Sequence, residues 1–258
     1  MQLLLLFLPF SLLFHNPESL EGDREILLNK IFEAVGGKEN WESIQTRIDY
    51  YKEVRSTKKF NSTDPFYEET SGIKLYKAIG DSIYMDRLLK ISSNKLDTFA
   101  SCYNGEIFFT QNSGSRPFKM EGFASYNKFV NCGYPSSMLR ADSILLPTQK
   151  QIENSGYDPS IAYDILEVYW GRTGEAYYFS RSTNLLVKSH RIDKPLIITF
   201  YYDYKEIQGR FVPLVKETYE NQKFILSIEL KEVIFDKPLD DTLFKYNIES
   251  AYILNAKI

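Results

Sequence analysis

The chain has 258 residues, 43% of them hydrophobic and 25% charged, which are ordinary proportions for a globular protein. Its formal net charge is −3, with acidic and basic residues interspersed and no basic stripe, so nucleic acid is not an expected partner. Aromatics reach 15%, with 19 Tyr and 18 Phe, and flat rings of this kind favour the half-buried pleated surfaces of β-sheets.

Residues 3–14 form an almost unbroken apolar run, interrupted by Pro9 and Ser11. About 20 residues are needed to cross a bilayer as a helix, so the run reads as the apolar core of a signal peptide over residues 1–19. Asn16, Pro17, Glu18 and Ser19 would form its cleavage region, although the leader lacks an opening Lys or Arg and an A-x-A site. The other reading is a buried N-terminal strand. On the first, residues 20–258 form one domain, a soluble monomer in the periplasm or another extracytoplasmic space.

Asp23 is placed to cap a helix over 24–35, where Leu27, Ile31 and Val35 make an apolar stripe beside Leu28 and Phe32. Gly36 and Gly37 would end it, since glycine accepts a left-handed C-cap. Trp41 and Ile44 suggest a short second helical turn. From Thr46 the period falls to two, with Ile48, Tyr50 and Lys52 alternating with Asp49, Tyr51 and Glu53. Strand-like runs follow at 70–79, 82–88 and 95–103. Asn104 and Gly105 are the strongest hairpin signal, joining 98–103 to a strand over 106–111 that carries Phe108.

Alternation is weak over 123–160, which reads as helical or irregular cover lying over one face of the sheet. Strands resume at 162–170, 175–180, 185–193, 196–204, 211–220 and 223–235, separated by short turns. Strand, tight turn, strand without intervening helices means a meandering antiparallel sheet of about ten strands, in a mainly β (α+β) domain with one long helix. Leu196, Ile198, Phe200, Tyr202 and Tyr204 share one face by alternation, as do Phe224, Leu226, Ile228 and Leu230. One helix cannot cover so wide a sheet. The apolar face therefore either lines a cavity or is core under the helix and the middle segment. The cavity candidates are Leu27, Ile31, Phe32, Tyr50, Phe108, Phe200, Tyr202, Leu226 and Ile228.

Catalytic signatures are missing: there is no G-x-S-x-G, G-x-x-x-x-G-K, G-x-G-x-x-G or H-E-x-x-H. His190, the one histidine after the leader, stands in a strand among Lys188 and Arg191 and reads as a solvated position. Asp240 and Asp241 read as caps of a terminal helical turn. Cys102 and Cys132 either pair, closing a loop at about 3 kcal/mol on the chain-entropy model, or are two buried thiols. With one histidine they cannot hold a metal. No catalytic residue, metal or cofactor is assigned, and the chain is not expected to be an enzyme.

Three stretches resemble the LolA/LolB-like lipoprotein carrier superfamily, especially its outer membrane lipoprotein-sorting branch. They are residues 31–44 (IFEAVGGKENWESI), residues 178–188 (YFSRSTNLLVK), and 202–209 (YDYKEIQG) followed by Pro213 and 235–244 (FDKPLDDTLF). At Asn184 the family usually has Gly, a mild change because Asn also accepts left-handed geometry. The resemblance spans roughly residues 23–244. It implies an open half-barrel of about eleven antiparallel strands with a helical plug on the concave face. It further implies an apolar cavity for a lipid, acyl chain or lipoprotein, with envelope membrane proteins as further partners and no covalent chemistry. A sensor or protein-interaction domain on the same scaffold is the alternative.

Overall fold

The computed structural model describes residues 17–58, 65–79, 83–92, 98–103, 108–112, 118–120, 134–147, 163–170 and 173–240. Two helices, α1 (Pro17–Ala34) and α2 (Lys38–Glu42), precede β1 (Thr46–Lys58), β2 (Pro65–Ile79), β3 (Ile83–Ser92), β4 (Thr98–Tyr103), β5 (Phe108–Asn112) and β6 (Phe118–Met120). A 3-10 turn at Met138–Arg140 leads into β7 (Ser143–Leu145). Then come β8 (Tyr163–Trp170), β9 (Thr173–Ser180), β10 (Leu186–Arg191), β11 (Lys194–Ile207), β12 (Arg210–Glu220) and β13 (Lys223–Phe235). The result is mainly β, an open antiparallel half-barrel with α1 plugging its concave side.

Among the described residues, thirteen strands hydrogen-bond in the order β6-β5-β4-β3-β2-β1-β13-β12-β11-β10-β9-β8-β7. Two meanders, β1 to β6 and β7 to β13, are thus joined by one central seam, where Arg47 pairs with Phe235 and Arg55 with Leu226. The sheet is wider than the sequence suggests because β6 and β7 are three residues each, too short to show alternation.

Strands β6 and β7, consecutive in the chain, form opposite edges of the sheet, and residues 134–142 are the described part of the link between them. The described part of that link lies over the concave face, as expected of the middle segment. Tyr134 stands 6.1 Å from the rings of both Tyr177 and Phe179. Trp170 donates from Nε1 to the Ser137 carbonyl at 3.0 Å. Residues 121–133 and 148–162 lie outside the described residues, as do Asn104 and Gly105, although Tyr103 does pair with Phe108 across that hairpin.

The helix begins earlier than expected. Pro17 opens it, where a fixed φ and a missing N–H suit the first turn. Asp23 consequently lies inside α1 and is not its N-cap, and the expected cleavage region at Asn16–Ser19 overlaps the first turn. The expected end is correct: Gly36 and Gly37 take φ of 101° and 95°. A Cβ on Gly36 would lie 1.9 Å from the Gly209 carbonyl oxygen, so only glycine fits this approach.

Around that point the helical corner is fastened to the β11–β12 turn. Phe211 N–H donates to Val35 O at 3.0 Å, and Asn40 Nδ2 to Gly209 O at 3.1 Å. Arg210 returns two bonds to Asn40 O, from Nε at 3.0 Å and Nη2 at 2.8 Å. Trp41, with no exposed surface, donates from Nε1 to Val35 O at 2.8 Å and sets its ring edge-on to Phe235.

Tight turns close the hairpins where the sequence marks them. Gln208 and Gly209 link β11 to β12 with φ of 51° and 74°. Asn221 and Gln222 link β12 to β13 with φ of 50° and 65°. A side chain in that region is strained, and Gln lacks the local bonding that lets Asn tolerate it. Gln222→Gly is expected to stabilise the protein by about 0.5 kcal/mol, seen as a higher urea midpoint at unchanged slope. A lower midpoint would contradict this.

Candidate ligand site on the inner face

Register places Arg47, Asp49, Tyr51, Glu53 and Arg55 of β1 on the concave side, opposite Phe235, Val233, Leu230, Ile228 and Leu226 of β13. The switch from odd to even numbers in β13 is a bulge at Lys231, and a second register shift at Ile225 turns Phe224 outward, against Tyr219. In β12 the inner residues are Val212, Leu214, Lys216 and Thr218. In β11, Asp203 has φ of 51° and interrupts the alternation. Tyr204 therefore joins the inner cluster, donating its hydroxyl to Leu186 O at 2.8 Å, while Tyr202 is exposed.

These shifts divide the sequence-derived candidates. Ile31 and Phe32 are buried between α1 and the sheet, with Leu27 half-buried beside them. Ile228 packs against the same cluster, and Leu226 lies farther along the same face. Tyr50 faces the other way from Tyr51, and it is Tyr51 that enters the core. Phe200 and Tyr202 stack on each other at 6.3 Å on the outer face, where Phe200 also meets Tyr219. Phe108 and Cys102 lie in strands whose side chains are outside the description, and Cys132 and Asp241 lie outside the described residues.

Burial changes along this face. Near the helices, Ile31, Val35, Trp41, Phe179 and Leu186 are fully enclosed. Farther along, every residue from Leu214 to Tyr219 in β12 and from Phe224 to Glu229 in β13 is only half-buried. The apolar inner surface at Leu214, Leu226 and Ile228 thus continues past the region that α1 seals.

Charged groups are built into the same concavity. Arg47 donates from Nε to Asp49 Oδ1 at 2.6 Å, both buried, and its guanidinium lies over the rings of Phe235 and Tyr76. Arg55 pairs with the buried Glu53 at 3.1 Å. Lys216 sits between Tyr201 of β11 and Ile228 of β13, its Nζ 5.6 Å from the Tyr201 ring centre. It makes no ion pair or hydrogen bond with another described residue.

Desolvation pulls the Lys216 amine down to about 8, Lys74 and Arg47 push it the same way, and Asp49 and Glu175 oppose them. Those neighbours come from β1, β2 and β9, strands on both sides of β12, so the sheet curls around this amine. Its side chain nonetheless keeps accessible surface, as do Tyr201 and Glu175 beside it.

The surrounding polar groups are also displaced by burial. Desolvation raises Glu175, while Tyr177, Lys216 and Arg191 oppose the rise. Tyr201 is raised by desolvation and by Glu175, with its hydroxyl 3.0 Å from Ser189 Oγ. The hydroxyls of Tyr51 and Tyr134 are buried with no hydrogen-bond partner among the described residues, and desolvation raises both well above the ordinary tyrosine value.

His190 is not the solvated residue that its charged neighbours suggest. It is partly buried on the outer face against Tyr178, ring centres 5.5 Å apart, and burial with Lys188 lowers its pKa. Glu175, the carboxylate displaced upward, is on the inner face, so the two do not form a pair. Among the described residues no three His, Cys, Asp or Glu side chains gather as metal ligands, and no helix is long and apolar enough to cross a membrane.

Sequence reading missed Lys216, Asp49, Glu175 and Tyr201. A signal for Lys216 was present, because Val212 and Leu214 precede it at two-residue spacing and set its face.

No family model matches the sequence, and no curated protein matches it. Solved structures do. A DUF1329 family protein from Desulfovibrio piger is 12% identical, with 88% of this chain and 97% of that one covered at a TM-score of 0.58. A putative outer membrane lipoprotein-sorting protein domain from Vibrio parahaemolyticus is 11% identical, covering 91% of this chain and 100% of its own, TM-score 0.56. A LolA superfamily protein from Nitrosomonas europaea is 11% identical over 83% of this chain and 96% of its own, TM-score 0.57. At such identities the likeness concerns architecture, and it agrees with the motifs at residues 31–44, 178–188 and 202–244: the chain has a LolA-like fold.

Proposed function

We propose that this chain is an extracytoplasmic binding or carrier protein. It holds an acyl chain, free or on a lipid or lipoprotein, against the inner face of the half-barrel, and does no covalent chemistry. The carrying observation is the burial gradient along β12 and β13: apolar residues line the concavity beyond the part that α1 seals. Each CH₂ moved from water onto such a surface contributes about 0.8 kcal/mol, so one chain supplies most of the affinity needed. Two of the solved structures with this fold are described as a lipoprotein-sorting domain and a LolA superfamily protein, which supports the reading. Residues 1–19 serve as the export signal.

The helix acts as the movable cover. Its C-terminal end is fastened at Gly36, Asn40 and Arg210, whereas Leu27 and Leu28 nearer its start are half-buried and Ile26 is exposed. Movement about the fixed corner would exchange helix contacts for ligand contacts at Ile228 and Leu214.

A fluorescent fatty-acid probe tests this. The parent protein is expected to bind it, Leu226→Asp to lose at least tenfold in affinity while still melting cooperatively, and Phe200→Asp, on the outer face, to bind as the parent does. Undiminished binding by folded Leu226→Asp would refute the inner-face site.

A further inference from the structure

A concave face meant only for hydrocarbon has no use for a lysine such as Lys216 on it. An amine in a desolvated position is retained at a cost in stability unless something pairs with it. Two of the charged groups here have carboxylate partners: Arg47 is ion-paired with Asp49, and Arg55 with Glu53. Lys216 is different. Its Nζ has no ion pair among the described residues, and the residue stands opposite Ile228 and two positions from Leu214 on the inner face. Charged and titratable groups act on it from strands on both sides: Arg47 and Asp49 of β1, Lys74 of β2, Glu175 of β9 and Tyr201 of β11. Glu175 already meets Tyr177, with Arg191 also near, so it is not reserved for Lys216.

A second observation lies in the same concavity. The hydroxyl of Tyr51, on the inner face of β1, is buried and has no hydrogen-bond partner among the described residues. Such a group is a donor kept ready at substantial cost. A free amine, an unused hydroxyl and an adjoining half-buried apolar strip together match an amphiphile with a negative head.

We infer that Lys216 receives the anionic head group, a carboxylate or a phosphate, of an amphiphile whose chain lies along Leu226 and Ile228. This rests on the acyl-binding reading above and adds a charge requirement to it. An ammonium–oxyanion hydrogen bond in a poorly solvated site is worth considerably more than a neutral one, which gives the protein a means to prefer acids over neutral lipids.

The test compares hexadecanoate, hexadecyl phosphate, hexadecanol and acetate as competitors of the fluorescent probe at pH 7. Both long-chain anions are expected to compete about tenfold or more better than hexadecanol, and acetate not at all. Lys216→Met should bring the anions to within about twofold of the alcohol, Lys216→Arg should keep the preference, and Lys188→Met, on the outer face, should leave it unchanged. Equal competition by hexadecanoate and hexadecanol in the parent overturns the head-group assignment and leaves acyl binding intact. Failure of all long-chain ligands overturns both, and competition by acetate as strong as by hexadecanoate overturns the amphiphile in favour of a small free anion. Retention of the full anion preference by folded Lys216→Met also refutes the assignment.

Discussion

Trp41→Ala is expected to cost about 4 kcal/mol of unfolding free energy, the upper part of the range for an aromatic removed from a closed core. Trp41 has no exposed surface and packs edge-on to Phe235. Its Nε1–H also donates to the carbonyl of Val35, just past the end of α1, which Phe211 N–H shares. Truncation therefore opens a cavity and removes a donor from the corner that fastens the helix. Trp41→Phe separates the two effects, since it keeps most of the ring volume and loses only the bond, for which about 1–2 kcal/mol is expected. Urea denaturation of the three proteins measures this. A loss below about 1.5 kcal/mol for Trp41→Ala would show that the corner rearranges and is not a rigid anchor.

Lys216→Met is expected to act in the opposite direction, stabilising the ligand-free protein by about 2–3 kcal/mol at pH 7. The folded amine titrates near 8, against an ordinary value of 10.5. Below pH 8 it is protonated in both states, and the folded state bears the whole desolvation cost. Between pH 8 and about 10.5 the folded amine releases its proton while the unfolded one keeps it, so the parent recovers stability relative to the variant. The advantage of Lys216→Met should accordingly shrink across that window. The buried tyrosines, raised in both proteins, cancel in the difference. A variant less stable than its parent at pH 7, or an advantage independent of pH up to 10, would mean that Lys216 is held by favourable interactions and is not strained.

Strand positions, turns and the glycine corner were legible because each depends on local chemistry. Gly36, Gly37, Asn184, Gly209 and Asn221 all take the positive φ that their types accept. Facing was harder to read. Two-residue alternation survives only while the ladder is regular, and β13 shifts register at Ile225 and again at Lys231. Phe224 and Leu226 consequently point to opposite sides although their numbers share parity. Asp203 similarly separates Tyr204 from Tyr202. In β1 the difficulty was chemical. Asp49 and Glu53 look like the wet side of an amphipathic strand, yet Asp49 with Arg47, and Glu53 with Arg55, occupy the inside, while Ile48 is buried on the other face. Apolar-in, polar-out reasoning misplaces a concavity that carries its own charges.

The central seam has a consequence for how the molecule is made. Residues 47 and 235 pair directly, and all nine register partners along β1 and β13 are similarly distant in the chain. Contacts this remote slow folding, because a long loop must close before any of them forms. Each meander can zip from its own hairpins, but until residue 235 has emerged β1 presents an unpaired edge that another chain could capture. The most vulnerable species of this protein is thus a half-made sheet, and a chaperone that shields β1 during synthesis or export would raise its yield more than any added core contact.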